Sequence, residues 1–292
     1  MKELLQILFS GIILGSIYAL MSMGLSLIWG GLRVLNLTQG ALFMLGAYTA
    51  FVAGRTLGLP PAVGLVAAFV LMGVAGVLIY ACLVRPLLPR ADRENATLLV
   101  TVGFAVILEN LALFTFGPRS QAVPELIRGT FRIAGVPVTW NSLVMTAAAV
   151  GAMAALGAML KWTRLGLSIR ALAQNREGAQ LAGISMDRTY ALVMFLSSGL
   201  AGVGGVLLSS YYFVSPYVGQ AYLLTALIVT ILGGLGSLTG TLAAAYLVGI
   251  LQSSVSFLLG VRWSLPVFFA LIIVTLVLRP GGLGGQVVQE RL

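Results

Sequence analysis

The sequence predicts an all-α, polytopic transmembrane helical bundle of about 8–10 spans. Three observations carry this. The chain is 59% hydrophobic and only 9% charged. Its mean hydropathy is +1.04. Its charges cluster, leaving apolar runs near the roughly 20 residues that cross a bilayer. A soluble domain carries about a quarter charged residues, and a chain this apolar has too little polar surface to cover a core in water.

The apolar runs are 4–29, 37–53, 60–84, 96–116, 140–160, 190–214, 222–235, 238–259 and 263–278. The first is too long for the roughly 7–15-residue core of a signal peptide, so it reads as a retained span. The second and seventh are short and interrupted by glycine, which marks broken or re-entrant helices. The whole chain, 1–292, reads as one transmembrane domain with a polar cytoplasmic segment at 161–189.

Composition removes several function classes. With no His and a single Cys82, the chain offers no imidazole chemistry, no internal disulfide and no thiolate metal cluster. No catalytic or metal site is expected. The net charge of +9 lies between the spans, so it reads as membrane orientation rather than nucleic-acid binding. With nine spans, one side carries Arg33, Arg85, Arg90, Arg93, Lys161, Arg164, Arg170, Arg176, Arg188, Arg279 and Arg291. The other carries Lys2, Arg55, Arg119, Arg128, Arg132 and Arg262. Eleven against six places the two basic loops and the C-terminus in the cytoplasm and the N-terminus outside.

A faint repeat is present. Gly40-Ala-Leu-Phe-Met-Leu-Gly-Ala47 lies over Gly219-Gln-Ala-Tyr-Leu-Leu-Thr-Ala226, each after a break: Asn36-Leu-Thr-Gln39 and Ser215-Pro-Tyr-Val218. The two copies fall on spans of opposite direction, an inverted-topology repeat of the kind transporters use. Chance similarity between glycine-rich apolar stretches is the plainer alternative. The pairs Gly11/Gly15, Ala201/Gly205 and Gly236/Gly240 are spaced for close helix packing.

The segment Lys161–Thr189 is too long for a simple connection. Its middle, 167–182, is rich in helix formers, with Leu165, Ile169 and Leu172 at helical spacing, and Gly183 is suited to stop it. It reads as a helix that docks on a partner; a solvated loop is the plainer alternative. Within the spans, Glu109 is the one acidic residue well inside an apolar run, either a gate or pathway group or a bond to a neighbouring helix. Thr97 and Thr101 are placed to bond backbone carbonyls. Gly233, Gly234, Gly236 and Ser237 mark a helix break whose free backbone groups can meet a zwitterion. The candidate translocation path is Asn36, Gln39, Gly40, Thr101, Glu109 and that glycine break.

Glu177-Gly-Ala179-Gln-Leu-Ala-Gly183 resembles the Glu-Ala-Ala-x-x-x-Gly loop of ABC importer permeases, with Gly at its second position. The rest resembles LivH-type permeases of high-affinity branched-chain amino acid ABC importers. The matching stretches include Asn36-Leu-Thr-Gln-Gly40, Met44-Leu-Gly-Ala-Tyr48, Arg85-Pro-Leu87, Ile107-Leu-Glu-Asn110, Gln174-Asn-Arg-Glu-Gly178, Leu232-Gly-Gly-Leu-Gly-Ser237 and Arg279-Pro-Gly-Gly-Leu283, in order over nearly the whole chain. The resemblance implies import of leucine, isoleucine and valine across the bacterial inner membrane. It implies four kinds of contact: a second related permease, two cytoplasmic ATPase subunits, a periplasmic binding protein and the lipid bilayer. Arg170, Asn175, Arg176, Glu177, Ala179 and Gly183 would couple to the ATPases. The chain has no Gly-x-x-x-x-Gly-Lys-Ser/Thr motif, so no cofactor is its own and the partners bind the ATP. Similar permeases move urea, amides or other amino acids. A stand-alone secondary carrier lacks its expected relay of acidic residues here, and an intramembrane enzyme lacks a nucleophile–base pair.

Overall fold

The computed structural model describes residues 2–122, 129–133, 136–279 and 281–284. Arg128, Arg291 and Pro280, used in the readings above, lie outside the described residues. Eleven helices are described: α1 (Lys2–Leu32), α2 (Thr38–Phe51), α3 (Pro61–Ile79), α4 (Arg93–Phe116), α5 (Trp140–Trp162), α6 (Arg164–Gln174), α7 (Arg176–Leu181), α8 (Met186–Ser209), α9 (Val218–Gly233), α10 (Leu238–Leu258) and α11 (Ser264–Leu278). Seven helical stretches, starting at α1, α3, α4, α5, α8, α10 and just before α11, are long and apolar enough to cross a membrane. With the shorter α2 and α9, the nine expected apolar segments are all helical.

Boundaries differ where local chemistry intervenes. The helix α2 widens into a π turn at Val52–Thr56, and α3 continues through a π turn at Tyr80–Val84. The helix α8 stops at Ser209 rather than running on to Val214, because Val214 leaves the helix to bridge Gln121. A two-stranded hairpin unforeseen from the sequence, β1 (Thr130–Ile133) and β2 (Val136–Thr139), precedes α5, with Thr130 opposite Thr139.

Two halves of opposite direction are related by a local two-fold. The helix α1 packs on α10 with Gly11 against Ile250 and Gly15 against Tyr246, an antiparallel crossing. The helix α8 packs on α3 the same way, Gly73 against Phe195 and Gly199 against Phe69. The remaining contacts pair off likewise: α2 with α3 as α9 with α10, and α2 with α4 as α9 with α11. At the centre α2 meets α9. A Cβ on Gly40 would lie 3.0 Å from the Leu223 Cβ, and one on Gly219 would lie 3.3 Å from the Met44 Cβ. Phe43 stacks on Tyr222 at 5.4 Å and 20°. These are the residues that the repeat aligns with each other. The helix α5 belongs to neither half.

The loops sort onto two faces. On one, Arg176 bonds the end of α1, Arg85 pairs with Asp187, and Leu283 N–H donates to the Leu232 carbonyl. On the other, Gln121 bridges Val214 and Asn141 donates to the Ser210 carbonyl at 2.8 Å. The first face carries the basic loops, so the positive charge bias and the packing give one orientation.

Small residues make these crossings possible. A Cβ on Gly205 would overlap the Phe43 carbonyl and lie 2.9 Å from the Ala47 nitrogen, whereas Gly103 on α4 has nothing within 4 Å. Gly205→Val is therefore expected to lower the thermal midpoint of the detergent-purified chain, at a cost of about 1–3 kcal/mol from overpacking. Gly103→Ala should leave it unchanged. Equal midpoints for the two variants would contradict the α2–α8 contact.

Candidate functional site

The helices α2 and α9 both begin inside the bundle. At about 1.5 Å per residue, the 16 residues of α9 fall short of a hydrocarbon core about 30 Å thick. After α1 ends at Leu32, the chain doubles back, and Gln39 lies beside Gly24, about two turns up α1. Through the Gly40–Gly219 contact, α9 begins at the same depth.

A helix start at this depth leaves amides that water cannot reach. At α2, side chains answer for two of them. The Thr38 N–H donates to Asn36 Oδ1 at 3.1 Å, and the Leu37 N–H donates to Thr101 Oγ1 at 3.2 Å. The Thr38 hydroxyl also donates to Asn36. Gln39 Nε2 donates to the Ser197 carbonyl at 2.7 Å, while its Oε1 is buried with no hydrogen-bond partner. Thr101 does bond a backbone carbonyl, that of Leu98. Thr97 does not: its hydroxyl is buried and unpartnered. Asn36, Gln39, Gly40 and Thr101 are thus brought together, fully buried, around the start of α2.

Glu109 lies apart from them, 8% exposed on α4, and accepts a hydrogen bond from Gln220 Nε2 at 2.7 Å. Gln220 and Asn110 are themselves exposed among apolar helix surfaces. The aligned partner of Gln220 in the repeat is Ala41, so the repeat gives no hint of this polar contact.

The glycine break is elsewhere again. Gly233, Gly234, Gly236 and Ser237 form the turn from α9 to α10 on the basic face. The Gly284 N–H donates to the Gly233 carbonyl at 3.0 Å, Gly236 lies against Gly30, and Ser237 Oγ accepts from the Gly240 N–H at 3.2 Å. Gly234 and Gly236 have φ of 93° and 86°, which only glycine adopts without strain.

On the opposite face a cavity of about 460 Å³ opens between α1, α10 and the loop after α8. Its lining includes Gln6, Ser10, Tyr211, Tyr212, Tyr222 and Gln252. It reaches inward to the aromatic stack at the centre, where Tyr18 lies 5.9 Å from Tyr222 and donates its hydroxyl to Gln252. Sequence reasoning missed Tyr18, Tyr222 and Gln252. Tyrosines in apolar helices carry no signal of a shared cavity.

The polar segment forms two helices where one was expected. Asn175 ends α6 and caps α7, its Oδ1 accepting from the Gly178 N–H at 2.9 Å. An Asn side chain competing for that amide breaks the helix. Gly183, at φ 82°, terminates α7, and the Ile184 N–H donates to the Ala179 carbonyl at 3.0 Å. Ile169, Leu172 and Ala179 are buried against the bundle. Leu165, read as sharing helical spacing with Ile169 and Leu172, is exposed, as are Leu167 and Leu181, the last 91% exposed. Glu177 and Asn175 face outward, and Arg170 reaches back toward the Lys161 carbonyl.

Comparison with known proteins accords with this arrangement. The family described as "Branched-chain amino acid transport system / permease component" matches residues 7–276. The Escherichia coli (strain K12) "High-affinity branched-chain amino acid transport system permease protein LivH" is 31% identical over 99% of this chain and 97% of its own length. The Pseudomonas aeruginosa permease BraD, named for the same transport system, is 27% identical over 99% and 98%. A Methanocaldococcus jannaschii protein named as a "Probable branched-chain amino acid transport permease protein LivH" is 26% identical over 96% and 92%. No solved structure matches. Sequence similarity along nearly its whole length places this multi-pass membrane chain, with its inverted pair of helical halves, in the branched-chain amino acid transport system permease family.

Proposed function

We propose that this chain is one of two membrane subunits of an ATP-driven importer of branched-chain amino acids in the bacterial inner membrane. The relatives' names supply the cargo. The observation that carries the mechanism is the α6–α7 segment. It is folded against the bundle on the basic face and presents Leu165, Leu167 and Leu181 to solvent, on a chain that has no phosphate-binding loop. Exposed leucines beyond the spans are suited to a protein partner. Two cytoplasmic ATPase subunits would bind there and hold the ATP, a second related permease would complete the path, and a binding protein would deliver cargo from outside. The permease itself needs no cofactor.

In this reading Arg170, Asn175, Arg176, Glu177, Ala179 and Gly183 pass the closing of the ATPases to the spans. Arg176 forms the direct link, bonding the Leu32 carbonyl at the end of α1 at 2.6 Å. Motion of α1 reaches Gln39 and the α2–α9 crossing, where Asn36, Gln39, Gly40 and Thr101 line the gated part of the route. Glu109, bonded by Gln220 outside that cluster, is a further pathway group in this reading, its carboxylate suited to a cargo ammonium. The turn Gly233–Ser237, closed here, lies at the cytoplasmic end. A path with so little charge leaves tight binding to the delivery protein.

Coexpressed with candidate ATPases and a second permease, the chain should purify as one complex. In proteoliposomes that complex should hydrolyse ATP faster when binding protein and leucine are both present. A complex indifferent to leucine reopens the cargo toward urea, amides or other amino acids. Transport by this chain alone would replace the importer with a secondary carrier. Within the complex, Glu177→Lys and Gly183→Val should cut uptake roughly tenfold, the usual scale of an inter-site coupling, while ATP hydrolysis continues. Undiminished uptake in both variants would sink the coupling assignment.

A further inference from the structure

The basic face gathers more positive charge than the contact of Arg176 with α1 uses. Arg33 follows α1, Arg93 opens α4 and Arg176 opens α7. With Gly30, Leu172 and Gln174 they line a cavity of about 260 Å³. Arg33 reaches it from φ 56°, the only non-glycine positive φ among the described residues, a conformation that side chains rarely adopt. Arg176 is fixed by the Leu32 carbonyl and by the Tyr190 ring, 6.0 Å from its guanidinium.

No ion pair joins these arginines to a carboxylate among the described residues; the one ion pair there is Arg85–Asp187 at 2.7 Å. Arginine does not give up its proton in a protein, so three positive charges share one half-sheltered cavity. Burial first, and then the guanidiniums of Arg93 and Arg33, pull Arg176 below its ordinary value against the opposing effect of Tyr190. Mutual repulsion of this kind is relieved by an anion between the charges. Forked donors arriving from three separate elements suit a tetrahedral group of several oxygens better than a planar carboxylate. The cavity also lies where the spans end, the depth of lipid headgroups.

We propose that the cavity between Arg33, Arg93 and Arg176 binds a phosphate group and thereby ties the end of α1 and the start of α4 to the coupling helices. The phosphate belongs either to an anionic phospholipid headgroup or to a free phosphate ion. The site stands or falls independently of the cargo.

The full chain in nanodiscs tests it. Discs of phosphatidylcholine mixed with phosphatidylglycerol report the lipid source, through phosphatidylglycerol retained in native mass spectrometry. Discs of phosphatidylcholine alone, titrated with inorganic phosphate in a calorimeter, report the free ion. Binding in one arm names the source. Arg33→Gln and Arg93→Gln should each weaken that binding about tenfold, the scale of one charge-assisted hydrogen bond. Arg33→Lys should keep most of it, which separates lost charge from lost folding. Arg90→Gln, outside this cavity, should bind as the unaltered chain does. Failure of both probes, or Gln variants that bind like Arg90→Gln, overturns the assignment and leaves the arginines to a carboxylate of a protein partner.

Discussion

A lipid interior offers no water to a backbone amide, and this chain starts two helices inside one. The rest of the structure accommodates that constraint. Asn36 and Thr101 supply oxygens for the amides that α2 exposes at its start. Gly40 and Gly219 let the two starts approach until backbone meets backbone. Gly205 on α8 and Gly24 on α1 clear the space around the start of α2. Larger residues at these positions would push the broken helices apart and strand their polar ends.

The same economy explains why the centre is suited to move. The crossing is built from small and aromatic contacts, with few hydrogen bonds to break: a stacked Phe43–Tyr222 pair, glycine contacts, and a Gln39 oxygen that is buried and unpaired. An unpartnered buried oxygen raises the energy of the state that contains it by about 1–3 kcal/mol. A state that hydrates Gln39 or meets it with a polar solute recovers that energy. Around this centre the two halves present long antiparallel crossings, α1 on α10 and α3 on α8, able to tilt as units about the local two-fold. The helix α7 reaches one of these units directly, through Arg176 and Leu32.

The fold was legible because its driving force is compositional. Apolar runs of the right length marked all nine segments, and counting them alternately put the basic loops on one face, where the packing gathers them. The repeat was legible too, since it is a register of like residues. What escaped were contacts between residues far apart in the chain. Glu109 finds Gln220 across 111 positions, and no local pattern marks that pair. The Gly233–Ser237 break looked like a pathway element from its glycines alone. Those glycines also admit the backbone of 282–284 and the approach of Gly30, contacts that a helix-break signal does not reveal. The division of the 161–189 segment at Asn175 was hidden because the flanking residues favour helix on both sides; one capping side chain decides it.

The inverted pairing of α2 with α9 is tested most directly by the sides on which their far ends emerge. In a Cys82→Ser background, single cysteines replace Leu57, just beyond α2, and Leu235, just beyond α9, both exposed. Intact cells are then treated with a thiol reagent that does not cross the inner membrane. The two-fold arrangement predicts that the cysteine at 57 is modified at once and the one at 235 only after permeabilisation. Modification of both from the same side would make the halves parallel and contradict the account at its centre.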